Sequence, residues 1–373
     1  MRLPPFRLER YFARHEFSVK HLLCASDAES LTVGELLALE PGAAEGLSKL
    51  RLGYTESPGG PGLREAIARQ YASLAPSQVL VHAGSEEPIF TFLHSALAPG
   101  DHVIAHGPAY QSLHEVPRAA GAEVSEWRGQ ASEGWALDPD DLPKLLRPAT
   151  RGVILNSPHN PTGWLIPRER LDATIDFARR HGLWIFSDEV YRGLEHDGVG
   201  ANPSVADLYE RGVALGGLAK AYGLPGLRIG WLATKETRWL DAAGAFKDYL
   251  TICNSAPSEL LATVALAHAE ELVARVRTIC RDNLARLEAL MERHADRFEW
   301  TRPPSTTMAF PRVREDDATA FCERLLEATG VLLLPGALMG AGEHVRIGYG
   351  RLDFPAGLDR LDEYLRRPRL GGR

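Results

Sequence analysis

From about residue 60 the sequence alternates two kinds of pattern, and this alternation restricts the fold more than any other feature. Short runs rich in aliphatic and β-branched residues (QVLVHAG, DHVIAHGP, EVSEW, RGVILNSP, LWIFSDEV, GVALGGLA and RIGWLAT) recur along this stretch. Most are separated by helically spaced stretches such as GLREAIARQYASL, EPIFTFLHSAL and PRERLDATIDFARRHG. Strand–helix repetition of this kind predicts an α/β fold whose mainly parallel sheet is covered by helices on both faces. Ligands of such sheets lie beyond the carboxyl ends of the strands. Polar residues at those ends are therefore the first candidates for chemistry.

After about residue 255 the pattern changes. A long helical stretch, with a break expected near Glu270, precedes short strand candidates in MAFPRV, VLLLPG and HVRIGYG. At 373 residues the chain is long enough for two domains. The expected division is a large α/β domain over 46–255 and a smaller α+β domain from 1–45 and 256–373, with NSAPSE at the junction. Upstream, Phe6 to Phe17 reads as an amphipathic helix or arm, and Thr32 with Glu35 has capping-box spacing before an apolar helical run.

A formal net charge of −7 argues against nucleic acid as a general partner. The four cysteines are widely spaced, without CxxC or Cys/His metal spacing, so no metal site is expected and a reducing compartment is. The N-terminus lacks the apolar core of a signal peptide, and no apolar run is long enough to span a bilayer. These features predict a cytoplasmic protein without a membrane partner.

Four polar clusters fall at predicted strand ends. In GGLAKAYGLPGLRIGW, Lys220 is one of only six lysines and sits among small and apolar neighbours, where desolvation disfavours its charge. A lysine so placed suits imine chemistry. In HAGSEEPIF a glycine turn opens a helix and offers free N–H groups to an anion; NSPHNPTG presents Asn160; FSDEVYRGL delivers Asp188 and Tyr191. Arg228 can grip a phosphate. Each cluster alone also reads as an ordinary turn, cap or core position. Together they ask for a ligand with a carbonyl, a phosphate, a ring nitrogen and a ring oxygen. Pyridoxal 5'-phosphate has all four.

In YTESPGGPGLREAIA, HNPTG, SDEVY and AKAYGLPGLRIGW, taken in order, the chain resembles the class I/II aminotransferases, fold-type I pyridoxal-phosphate enzymes, from about Tyr54 to about Gly350. The resemblance implies that Lys220 forms the internal aldimine and carries the proton, and that Asp188 pairs with the pyridinium nitrogen. It implies that Tyr191 and Asn160 hydrogen-bond the ring oxygen and that Tyr110 stacks on the ring. The phosphate is expected on the backbone at Ser85 and Glu86, with Arg228 as counter-charge. Tyr54 resembles the tyrosine that reaches the neighbouring subunit's phosphate, which implies a homodimer with shared sites. Arg346 resembles the arginine that grips the α-carboxylate of the amino acid and 2-oxo acid substrates.

Three departures stand out. Gly217 and Ala219 replace serines common in the family, one of which serves the phosphate. Glu86 and Glu87 flank the phosphate turn, so their side chains are expected to point away or to meet a cation. LLCASDAESLTVGELL replaces the family's glycine-rich entry, and with it Asp27 and Glu29 become candidates to face a cationic substrate such as arginine; the same stretch also reads as a solvated turn. The expected reaction is transfer of the α-amino group to a 2-oxo acid. A lyase, cyclase or arginine-modifying outcome on the same site is the alternative, and a cofactor-sensing binding domain a third.

Overall fold

The computed structural model describes residues 3–314 and 317–367. Its centre is a seven-stranded sheet of β1 (Val79–His82), β2 (His102–Gly107), β3 (Glu123–Arg128), β4 (Thr150–Asn156), β5 (Trp184–Asp188), β6 (Gly212–Gly217) and β7 (Gly230–Thr234), in spatial order β1-β7-β6-β5-β4-β2-β3. Only β7 runs antiparallel to its neighbours; the other pairs are parallel. The mainly parallel α/β sheet expected from the alternation is therefore present.

Successive side chains of a strand point to opposite faces, and β5 shows both faces filled. Trp184 and Phe186 enter one core cluster with Phe92 and Leu240. Ile185 enters the other with Leu171 and Phe177. Phe92 stacks on Phe186 at 5.1 Å between ring centres and meets Trp184 edge-on at 5.3 Å. Burying each such aromatic stabilises the sheet by roughly 1.5–3 kcal/mol. With both faces covered, the free region of the sheet is its end. There Asn156 of β4 lies opposite Asp188 of β5, and Asp188 opposite Leu215 of β6.

The C-terminal part contains helices Ala256–Ala267 and Ala269–Arg293, which break at His268, two residues before the expected position. Ser255 accepts from Ser258 N and caps the first of them, so NSAPSE opens a helix. Strand Val345–Gly348 pairs antiparallel with Met308–Ala309 and with Leu334–Pro335.

The N-terminal segment is built into this part. His21–Leu22 pairs with Val331–Leu332, Gly348 N donates to Leu23 O, and Glu29 N donates to Gly350 O. The approach is backbone to backbone. A Cβ at Gly348 would lie 1.7 Å from Ala25 O, and one at Gly350 2.5 Å from Asp27 O, so both positions require glycine. The Thr32–Glu35 capping box forms at the start of Val33–Ala38 as its spacing predicts. Among the described residues no helix is long and apolar enough to cross a membrane.

Candidate active site

Beyond the carboxyl ends of β5 and β6 lies a cavity of about 520 Å³, lined among others by Lys220, Asp188, Asn160, Tyr110, Ser85 and Arg228. The strands fix its floor. β6 ends at Gly217, and the turn after it places Lys220 Nζ 2.9 Å from Ser26 Oγ. Burial lowers the Lys220 pKa; Asp27 pulls it the other way, and Arg346 adds to the lowering. Asp188 closes β5 and accepts from Val190 N at 3.3 Å. Burial pushes its carboxyl up to about 7. A carboxylate in that state is stabilised by any cation brought to it.

The HNPTG loop is tied to the same strand end. Asn156 Nδ2 donates to Asp188 O at 3.0 Å and Asn156 Oδ1 accepts from Asn160 N at 2.9 Å. Asn160 Oδ1 in turn accepts from Arg346 Nη1 at 3.0 Å. Arg346 is fully buried and gives two further bonds to Cys24 O, at 3.1 and 2.8 Å. Among the described residues it has no carboxylate partner within ion-pair distance. A buried cation left so is costly until an anion arrives.

The opposite corner has the features of an anion site. Helix Glu86–Ala96 begins there with Ser85 as its N-cap and no side-chain cap bond. Ser85 Oγ is buried and has no hydrogen-bond partner among the described residues. Arg228 donates to Pro225 O at 3.3 Å and makes no ion pair among the described residues. Two glycines face this corner, and Gly84 has a φ of +85° that favours glycine. A Cβ at Gly84 would meet Arg228 Nη2 at 2.4 Å, and a Cβ at Gly217 would meet Ser85 Oγ at 2.2 Å. The serine missing at Gly217 has thus given its space to the Ser85 hydroxyl. The two glutamates stay at this corner: Glu86 lines the cavity and accepts from Ser112 Oγ, and Glu87 folds back to accept from Ala83 N and from Thr251 Oγ1, both at 2.6 Å. An orphan hydroxyl, an unpaired arginine and a helix N-terminus together fit a phosphate.

The remaining expectations divide. Tyr110 lines the cavity, its ring 5.1 Å from that of Phe6 and its hydroxyl donating to Glu9 Oε1 at 3.4 Å. The Tyr191 hydroxyl donates to Ser26 O at 3.2 Å. Tyr54 is 93 % exposed and lies outside the cavity. Asp27 lines the cavity, but Arg351 holds both its oxygens, at 3.1 and 2.8 Å. Glu29 does not line it and accepts from Leu352 N at 3.0 Å.

Sequence reasoning missed the contribution of helix Arg7–His15 and its flanks. Phe6, Glu9, Phe12 and Glu16 form one wall of the cavity. Burial, followed by the nearby Asp27, raises the Glu16 pKa. The amphipathic pattern of the arm was visible; where its faces would dock was not.

The model of the family "Aminotransferase class I and II" matches residues 22–360. The chain belongs to that family. Its cofactor is pyridoxal 5'-phosphate, and the family's reaction is transfer of an amino group from an amino acid to a 2-oxo acid. Capreomycidine synthase of Streptomyces vinaceus is 33% identical over 370 residues, 97% of this chain and 94% of that protein. A PLP-dependent aminotransferase from Streptococcus suis superposes with TM-score 0.94 at 34% identity, covering 100% of both chains. The PLP-dependent cyclase OrfR does so with TM-score 0.90 at 35% identity over 98% of each. The described residues of this aminotransferase-family chain thus have the fold-type I architecture.

Proposed function

We propose that this chain carries out α-amino transfer with Lys220 as the imine-forming and proton-carrying group. The observation that carries the reading is the convergence of Lys220, Asp188 and Asn160 on one cavity, facing an orphan Ser85 hydroxyl and an unpaired Arg228. When bound, pyridoxal phosphate supplies an aldehyde that condenses with amines and a protonated ring that accepts an electron pair from the substrate Cα.

The chain's own residues do the rest. Asp188 would hold the proton at the ring nitrogen. The Asn160 amide would donate to the ring oxygen, the Tyr191 hydroxyl would do so on turning from Ser26 O, and Tyr110 would cover the ring. Ser85, the N–H groups at Glu86 and the Arg228 guanidinium hold the phosphate. Arg346 receives the α-carboxylate of amino acid and 2-oxo acid alike, which lets one site serve both half-reactions. Lys220 Nζ, with its pKa lowered by burial, takes the proton from the substrate Cα.

We further propose a homodimer in which Tyr54 reaches the partner's phosphate site. Leu52, Tyr54, Tyr249 and Ile252 are exposed apolar side chains, which a subunit contact would cover. The four cysteines are free, in keeping with a reducing cytoplasm. The two-domain division at 46–255 against 1–45 with 256–373 belongs to the same reading.

A second reading is favoured by the company the chain keeps: a synthase and a cyclase match it over nearly its full length. Glu9 and Glu16 on the cavity wall suit a cationic side chain such as a guanidinium, whereas Asp27 is already paired with Arg351. Both readings share the loss of the Cα proton. A single-turnover screen of amino acids, arginine included and no 2-oxo acid added, separates them. One equivalent of 2-oxo acid with the cofactor left as its amine supports transamination. Product formed while the cofactor remains an aldehyde supports the second reading, and no response from any amino acid overturns both.

A further inference from the structure

The Lys220 side chain makes one hydrogen bond among the described residues, and its partner is Ser26 Oγ at 2.9 Å. No carboxylate lies within ion-pair distance of Nζ among those residues, although Asp188 and Asp27 line the same cavity. Ser26 is held from several sides. Its carbonyl accepts from the Tyr191 hydroxyl at 3.2 Å and from Thr307 Oγ1 at 2.9 Å. Its neighbours Ala25 and Asp27 lie with their carbonyls against Gly348 and Gly350.

We propose that Ser26 is a positioning residue for the reaction: its hydroxyl holds the Lys220 amine whenever that amine is free to carry the substrate proton. The inference rests on the role given to Lys220 above. A lysine amine ends a flexible four-carbon stem. Donating one N–H to a fixed oxygen restricts the tip and leaves the nitrogen lone pair free of Ser26. A base must come within hydrogen-bond reach of the proton it takes. Misplacement by about 1 Å costs on the order of 100-fold in rate. No bond to Ser26 forms or breaks. The proton leaves the substrate Cα, rides on Nζ and is released again, while the serine keeps its own.

The same bond bears on the acidity of Nζ. A hydroxyl oxygen that accepts from an ammonium favours the charged form, so removing it lowers the Lys220 pKa further. Asp27, Asp188, Glu9 and Arg346, the charged groups that act on Lys220, remain in place in a Ser26 variant.

The test compares Ser26→Ala and Ser26→Thr with wild type, as cofactor-loaded protein mixed with a single amino acid. The readouts are the visible absorbance of the bound cofactor before mixing, the rate of Cα proton loss and its pH profile, and the KM. For Ser26→Ala we expect unchanged cofactor absorbance, a rate about 10- to 100-fold lower, a KM within about twofold, and the limb of the pH profile that reports the lysine moved to lower pH. Ser26→Thr, which keeps the hydroxyl, restores most of the rate. A Ser26→Ala enzyme with wild-type rate and pH limb overturns the proposal. So does a rate loss with an unmoved limb that threonine does not rescue, since that is the mark of a purely structural residue. If Ser26→Ala does not fold, Ser26→Gly carries the same readouts. Lys220→Ala keeps the parent reading separate: if it leaves the cofactor absorbance unaltered, the role of Lys220 falls, whereas a null result at Ser26 alone removes only this inference.

Discussion

Arg346 Nη1 donates to Asn160 Oδ1 at 3.0 Å, and this bond decides which end of the Asn160 amide is left to donate into the cavity. With its oxygen engaged, Asn160 offers Nδ2. The residue proposed to receive the substrate carboxylate therefore also orients the residue proposed to hold the cofactor ring.

Arg346→Lys tests that linkage. A lysine cannot serve Cys24 O, Asn160 and a carboxylate together, because it lacks the planar fork of arginine. We expect kcat/KM to fall about 10- to 100-fold, the size of a lost charge-assisted contact, equally for the amino acid and the 2-oxo acid. The cofactor's absorbance should shift as well, as Asn160 loses its orientation. Steady-state kinetics in both directions, with an absorbance spectrum, check this.

Gly217→Ser would restore the serine common in the family, yet we expect it to weaken cofactor binding. Its Cβ would lie 2.2 Å from Ser85 Oγ in a packed corner. The double variant Gly217→Ser with Ser85→Gly should recover affinity. Equilibrium titration of cofactor into the apo protein measures both.

Asp188→Asn should divide function from stability. Loss of the ring-nitrogen partner should cost about 10²- to 10³-fold in turnover. The cofactor-free variant should nevertheless be the more stable protein at pH 8. The native Asp188 carboxyl, raised from 3.8 to about 7, binds its proton more tightly than the unfolded chain does. Its contribution to stability is therefore lost as pH climbs from about 4 to 7. Melting temperatures of the apo proteins should differ at pH 8 and converge near pH 4.

His106 and His159 stack at 3.8 Å between ring centres, both buried. Burial lowers both, His159 to about 3. These rings stay neutral in the fold, while the unfolded chain protonates them below about 6.5. Stability should thus fall as pH drops from 6.5 towards 4, by up to about 1.4 kcal/mol per pH unit per ring. His159→Gln should flatten that slope in denaturant titrations at pH 7, 6 and 5. An unchanged slope would discard the pair as the cause.

Much of this was legible in the sequence because strand ends carry local signatures. Asp188, Asn160 and Lys220 each follow an apolar run, and a parallel sheet must set such ends side by side. The Thr32–Glu35 cap was legible for the same local reason. What sequence did not give are contacts that depend on docking. Ser26 meets Lys220 across 194 positions, and Arg351 captures Asp27 across 324. No periodicity encodes such a distance. Gly217 read as the loss of a phosphate ligand, because only packing reveals that Ser85 fills its space. Glu29 read, with Asp27, as a candidate to face the substrate, but the turn aims it at Leu352 N.

The Cys24–Arg346 bonds join positions 322 apart, and the glycines that receive residues 25 and 27 come later still, at 348 and 350. During synthesis the large sheet and its lysine are complete long before those glycines leave the ribosome. The nascent chain thus passes through a stage in which Lys220 already exists but Ser26 has no groove to lie in. Lys220 is made early, and the glycines that seat residues 25 and 27 follow only at positions 348 and 350.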